Sequence, residues 1–279
     1  MNSQEICAVV ITFNPDQQVL ENLKETLKQV DKVVVVDNTP LEGNEIIKKI
    51  NENYPKIELI INKSNLGIAK ALNQGINYAI ENNFLYILTL DQDSCPKKEM
   101  VMELTQAMSE SDNGFTIVTP QTYDKFNSFE YSSKIEIIDK AVTSGMLLPG
   151  NVIEKCGLMK EEMFIDYVDF EYCLRFRKMG GVILSVPKAK LKHSLGDLSE
   201  FKIFGKTYWP TNHNPLRRYY ITRNRIYVWK KYFFSFPKWV LRDLKFFIVE
   251  TFLICLIEKD KFKKLWAITK GIVVGFLKK

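Results

Sequence analysis

The chain alternates unbroken apolar runs of strand length with longer stretches in which apolar residues recur every three or four positions. ICAVVITF (6–13) is the first run and stops at Asn14-Pro15. Val19, Leu20, Leu23, Leu27 and Val30 follow at helical spacing. KVVVVDN (32–38), IELIIN (57–62), FLYILTL (84–90) and GFTIVTP (114–120) are further strand candidates. A helix is expected over 44–53, and Ile68, Leu72, Ile76, Ala79 and Ile80 mark another. Strands apolar on both faces, alternating with helices, predict an α/β fold with a mostly parallel sheet covered on both sides. Four strands end in polar residues: Thr12-Phe13-Asn14, Asp37-Asn38, Asn62-Lys63 and Asp91-Gln92-Asp93. Parallel topology puts all of them on the carboxyl edge, where ligands of such sheets bind.

After residue 120 the pattern loosens. Residues 134–149 read as strand-like segments around Thr143-Ser144-Gly145, and 164–181 as an acidic loop entering a helix that ends at Gly180. VILSVP (182–187) is another strand, and from about His213 the chain reads as helical with breaks near Pro237 and Asp260.

Charge divides the chain in two. The net +6 of the 279 residues combines 21 Lys and Arg against 29 Asp and Glu in 1–200 with 18 against 4 in 201–279. An acidic body with a basic tail suits an anionic surface, membrane or nucleic acid, as the tail's partner. Five cysteines (Cys7, Cys95, Cys156, Cys173, Cys255) without CxxC spacing predict reduced, mostly buried thiols of a cytosolic protein. The first residues, MNSQEIC, lack the basic start of a secretory signal.

Asp91 and Asp93 are the first chemical candidates. On a strand, positions i and i+2 face one side, and neighbouring carboxylates repel unless a cation lies near them. Mg²⁺ takes few protein carboxylates and completes its shell with water and phosphate oxygens, so the pair suits a metal–diphosphate site. A solvated turn with a capping Asp is the alternative. Asp37 ends the second strand, where a carboxylate can accept from a ligand N–H or hydroxyl or simply serve a turn. Asn65-Leu66-Gly67 precedes a helix whose N-terminus tolerates phosphate. No GxGxxG follows the first strand, which weakens a dinucleotide reading, and no GxxxxGK[ST] occurs, which excludes a P-loop. Asp166, Asp169 and Glu171 could raise one another's pKa and supply a general base, or be ordinary charge at a helix start. Glu171 and Arg175 stand at i, i+4, the spacing of an ion pair. His193 and His213 are the only histidines; alone, His193 reads as a surface or core residue.

Taken together, VVITFN (9–14), VVVVDN (33–38), NKSNLGIAKALNQG (62–75), LTLDQDS (88–94), TSGMLL (143–148), FIDYVDFEYCLR (164–175) and HSLG (193–196) resemble the family 2 glycosyltransferases of the GT-A (nucleotide-diphospho-sugar transferase) fold. The FIDYVDFEYCLR segment and LRRYYITRN (216–224) are most similar to bacterial rhamnosyltransferases of surface polysaccharide synthesis. The resemblance implies an inverting, metal-dependent transferase moving L-rhamnose from dTDP-L-rhamnose to a hydroxyl of a lipid-linked saccharide. It implies donor contacts at Thr12, Phe13, Asn14, Asp37, Asn65, Lys70, Asp91 and Gln92. It implies Mg²⁺ or Mn²⁺ on Asp91, Asp93 and His193, and Asp169 as base, with Asp166 the rival. Ser144 and Gly145 would line the acceptor pocket, beside Glu171, and Arg223 and Asn224 would contact donor or acceptor. A UDP-hexose donor is the nearest rival reading, and a non-catalytic sugar-nucleotide-binding or scaffold module is the rival from another class.

Residues 1–212 are then the expected catalytic domain and 213–279 a basic helical segment. Its apolar runs, 246–257 and 265–277, contain Glu250 and Lys270 and fall short of the ~20 residues a spanning helix needs. Short apolar helices flanked by Lys and Trp suit an interfacial position on an anionic leaflet, peripheral on the cytoplasmic face of the membrane. Packing on the catalytic domain or in a homo-oligomer is the alternative, and the apolar content argues against nucleic acid.

Overall fold

The computed structural model describes residues 5–40, 44–123, 134–193, 201–203, 206–208 and 212–277. The strands are β1 (Ile6–Thr12), β2 (Lys32–Asp37), β3 (Ile57–Ile61), β4 (Tyr86–Asp91), β5 (Ser94–Pro96), β6 (Thr116–Tyr123), β7 (Glu136–Ile137), β8 (Leu147–Pro149), β9 (Val182–His193), β10 (Phe201–Ile203) and β11 (Lys206–Tyr208). The α-helices are α1 (Gln18–Leu27), α2 (Glu45–Asn53), α3 (Ile68–Glu81), α4 (Met100–Ser109), α5 (Gly150–Cys156), α6 (Val168–Lys178), α7 (Pro215–Tyr232), α8 (Pro237–Leu256) and α9 (Lys261–Leu277). The chain divides into two compact units, Met1–Phe164 with Val168–Ser194, and Ile165–Tyr167 with Leu195–Lys279.

The first unit is an α/β sheet in the order β3-β2-β1-β4-β8-β6-β9-β5, with β7 beside β9. The first four strands pair in parallel, as their continuous apolar runs predict. Alternate residues of each strand enter opposite layers. Ala8 and Val10 of β1 join Val33, Val35, Val19, Leu23, Ile50 and Leu104 in one buried cluster. Val9 points the other way, onto α3, where a Cβ on Gly75 would lie 2.2 Å from its Cγ1. That close approach explains a glycine in mid-helix.

Two features escape periodicity. β5 and β8 are three residues each, too short to carry a period of their own; β8 lies in the segment 134–149 expected to be strand-like, and it runs antiparallel to both β4 and β6. The strand expected to end at Pro187 continues to His193. Pro187 has no N–H for the ladder, and the register with β6 shifts there: Pro120 faces Val186, while Gln121 faces Lys190. A bulge absorbs the proline and the strand resumes. Its end then pairs antiparallel with β5, putting His193 opposite Ser94.

In the second unit α7 packs against α8 and α9, and its buried polar residues form an ion network. Arg218, 2% exposed, donates to Glu250 at 2.5 Å and to Glu258 at 2.6 Å. Lys264 reaches the other oxygen of Glu258 at 2.8 Å. Arg225 pairs with Glu250 at 2.9 Å and Asp243 at 3.2 Å, and donates to the hydroxyl of Tyr167. Tyr167 in turn donates to Asp243, as does the Trp229 indole, 2.8 Å away.

His213 stands just before α7 in this unit. Burial, with Arg217 and Arg218 adding, pushes its imidazole down to about 4. The folded ring is therefore neutral where the unfolded ring, near 6.5, binds a proton. Its contribution is present above pH 6.5 and is lost as pH falls from 6.5 towards 4. Wild-type stability, read from urea midpoints at pH 7.5, 6 and 5, should fall more steeply than that of His213→Gln. A single group, differing by at most one bound proton, keeps the excess slope below about 1.4 kcal/mol per pH unit. Equal slopes would contradict the assignment.

Candidate active site and metal centre

The carboxyl edge of the parallel strands gathers the predicted polar residues. Thr12 and Asp37 end neighbouring strands in register, and both are buried. The Asp37 Oδ1 accepts from the hydroxyls of Thr12 at 2.7 Å and Thr39 at 2.8 Å. The Asn14 amide donates to Thr39 Oγ1 at 2.9 Å, and the Phe13 amide to the Gln92 side chain at 2.8 Å. The Phe13 ring is exposed. Asn62 bridges Asn38 and Gln74, each at 2.8 Å, which ties the ends of β2 and β3 to α3.

Asn65 and Lys70 are exposed at the start of α3. Asn65 accepts from the Gly67 amide at 3.0 Å. The first helical amide, Ile68, donates to the Phe164 carbonyl at 2.6 Å. A helix N-terminus that sequence offers to phosphate thus already has a protein acceptor.

Asp91, Asp93 and His193 converge. One ligand atom from each lies within 4.8 Å of the others. His193 Nδ1 is 3.2 Å from Asp93 and Nε2 is 4.0 Å from Asp91. Burial, with the Asp93 charge adding and His193 opposing, pushes the Asp91 carboxyl up to about 6. A divalent cation beside the two carboxylates would offset that burial and favour their charged form. Two carboxylate oxygens and an imidazole nitrogen suit Mn²⁺ or Mg²⁺ with open positions for phosphate oxygens.

A hydroxyl chain supports the cluster. Ser94 Oγ lies 2.8 Å from His193 Nδ1 and 2.6 Å from Ser144 Oγ, which accepts from the Asp91 amide at 3.1 Å. Partners of this kind fix the orientation of ligating side chains. Sequence reading did not single out Ser94; its signal was the β5–β9 pairing, which three residues cannot announce. Ser144 is only 1% exposed, so its contacts are with these supports. Gly145 is also buried, with φ 90°, and a Cβ there would meet Pro120 at 2.5 Å.

The acidic segment separates into distinct environments. Asp169 is half-buried in the first turn of α6 and accepts from the Phe170 amide at 2.8 Å. Glu171 is fully buried, paired with Arg175 at 2.9 Å, and Arg175 also donates to the Leu158 carbonyl at 2.9 Å. This is the i, i+4 ion pair that the spacing predicts. In the second unit, Arg217 grips Asp166 through two bonds of 3.0 Å. Asn224, 1% exposed, donates to the carbonyls of Ile165 and Asp166 at 2.8 and 2.9 Å and accepts from Arg223. The Arg223 guanidinium stacks on Tyr220. Ser194, Leu195 and Gly196 of the HSLG motif lie outside the described residues.

A parallel sheet gathering carboxylates and an imidazole at its carboxyl edge is the architecture of a nucleotide-diphospho-sugar transferase. The family described as Glycosyl transferase family 2 matches residues 7–165, and the chain belongs to that family: it is a glycosyltransferase of GT-A fold. It is 34% identical to the dTDP-rhamnosyl transferase RfbF of Shigella flexneri, over 94% of this chain and 91% of that one. Among solved structures it is similar to a Pyrobaculum calidifontis mannosyltransferase in complex with GDP-Man and Mn²⁺ (14% identity, TM-score 0.61, 97% of this chain and 73% of that one). It is also similar to GalNAc-T7 with UDP, GalNAc and Mn²⁺ (12% identity, TM-score 0.62), covering 82% of this chain and spanning 48% of that one. At these identities the solved structures speak for the fold alone.

Proposed function

We propose that the protein transfers L-rhamnose from dTDP-L-rhamnose, with inversion, to a hydroxyl of a lipid-linked saccharide in cell-surface polysaccharide synthesis. The observation that carries the donor is the near full-length similarity to a dTDP-rhamnosyl transferase. The observation that supports metal dependence is the convergence of Asp91, Asp93 and His193. Residues 1–212 would form the catalytic domain. The basic helices of 213–279 would meet the cytoplasmic face of the membrane that carries the acceptor; no helix among the described residues is long and apolar enough to cross it.

In this reading Asp37, fixed by two threonine hydroxyls, accepts the imide N–H of the base. Thr12, Phe13 and Asn14 shape the base site, with Gln92 holding the Phe13 amide. Asn65 and Lys70 lie towards the nucleotide and its phosphates. Asp91, Asp93 and His193 would hold Mg²⁺ or Mn²⁺, which supplies positive charge to the leaving diphosphate. Asp169 takes the proton of the acceptor hydroxyl as its oxygen attacks the anomeric carbon. The bond from that carbon to the diphosphate breaks on the opposite face. Asp166 is the weaker candidate for base because Arg217 already engages both its oxygens.

The test is a binding titration of dTDP-rhamnose, UDP-glucose and UDP-galactose with Mg²⁺, repeated with Asp93→Ala. Selective binding of dTDP-rhamnose, weakened at least tenfold in the variant, is expected. Selective binding of a UDP-hexose would keep the fold and discard the rhamnosyl donor.

A further inference from the structure

The second unit buries an ion network beside apolar residues such as Val228, Val240 and Ile254, and carries apolar stripes on its outer face as well, where a water-exposed bundle is polar. On α8, Val240, Asp243, Phe247, Glu250 and Ile254 recur at alternating steps of three and four, and none of them is exposed. Both acids of the helix therefore face the arginines of α7. The other side carries Leu241, Leu244, Ile248, Phe252 and Leu256, again one helical stripe, and all five are exposed. Ile248 and Phe252 are each 61% exposed. α9 continues the pattern: Lys264, Ala267, Ile268, Gly271 and Gly275 are buried, while Phe262 is 89% and Trp266 73% exposed. Isolated exposed apolar residues need no explanation, but two successive helices with apolar outer stripes do.

The charges are divided between the same two faces. Among described residues 213–277 the acids are Asp243, Glu250, Glu258 and Asp260, and the first three are engaged by Arg218, Arg225 and Lys264. Only Asp260 is exposed, whereas Lys238, Arg242, Lys245, Lys259, Lys263 and Lys270 all are. The internal network thus removes anions from the outer face and leaves cations flanking an apolar stripe.

We infer that the outer face of α8 and α9 inserts into an anionic lipid leaflet, with Ile248, Phe252 and Trp266 among the acyl chains and the flanking lysines at the headgroups. This deepens the lipid-linked acceptor of the proposed function by naming the surface that meets the membrane. A second copy of the chain is the disfavoured occupant, because an isologous contact would set lysine-rich faces against each other. An anionic leaflet satisfies both stripe and charges.

The experiment is co-sedimentation of the full chain with phosphatidylcholine vesicles with and without 30 mol% phosphatidylglycerol, roughly the anionic content that gives basic segments their attraction. No sugar nucleotide or acceptor is added, so the outcome is independent of the donor chemistry. Binding to the anionic vesicles should exceed binding to neutral ones at least tenfold. Ile248→Glu/Phe252→Glu should reduce it at least tenfold with the circular dichroism melt unchanged. Lys238→Glu/Lys245→Glu, which leaves the apolar stripe intact, should abolish the preference for anionic lipid. The inference is overturned if the wild type stays in the supernatant, or if both double variants bind as the wild type does. Sedimentation of a lipid-free dimer that Ile248→Glu/Phe252→Glu dissociates, without vesicle binding, would overturn it in favour of self-association.

Discussion

Asp169→Asn should lower kcat by about 10²- to 10⁴-fold, the range of a lost general base, while leaving KM for the sugar nucleotide within about twofold. Asparagine keeps the size of the side chain and its acceptor oxygen, so the bond from the Phe170 amide survives. What is lost is the ability to take a proton from the acceptor hydroxyl. The neighbouring acids offer no substitute, since Glu171 is buried against Arg175 and Asp166 is gripped by Arg217. The measurement is steady-state transfer together with donor binding by calorimetry. A variant with wild-type kcat would remove Asp169 as base, and one that no longer bound donor would make it a donor contact.

The second large effect concerns stability. Arg218→Met should cost about 3–5 kcal/mol, the usual penalty for removing one partner of a buried ion pair. Methionine fills much of the space, so the loss is electrostatic. Glu258, 2% exposed at its side chain, would keep only Lys264, and Glu250 only Arg225. Arg218→Lys should recover part of the loss, because one ammonium cannot span both carboxylates as the guanidinium fork does. Denaturant midpoints by circular dichroism decide this. A change below 1 kcal/mol, small against the penalty expected for a buried pair, would mean the two glutamates find solvent instead.

The half of the sheet that binds ligand in such folds was legible because β1, β2 and β4 are buried on both faces and β3, partly buried, is apolar enough to read as a strand. Their apolar runs end in Thr12, Asp37, Asn62 and Asp91, and parallel pairing brings those ends together. The antiparallel pairings of β8 and β5 were not legible, although β6 and the first half of β9 were. β5 and β8 are too short for a period, and Pro187 reads as a stop until the bulge with β6 is seen. For that reason His193 could be placed from its residue type only by resemblance, whereas the register of β9 against β5 places it physically. The ion network was hidden for another reason. Glu250 looks like a flaw in an apolar run, and its partner Arg218 lies 32 residues away. Local patterns report which residues share a face, but not which distant charge that face will meet.

The most direct test of the central claim, that Asp91, Asp93 and His193 hold the donor's cation, is an electron paramagnetic resonance titration of Mn²⁺ into the protein with dTDP present. The wild type should take up a single Mn²⁺ per chain, with Asp93→Ala and His193→Ala each weakening it at least tenfold, in line with lost ligands. Equal uptake by the wild type and both variants would contradict the account.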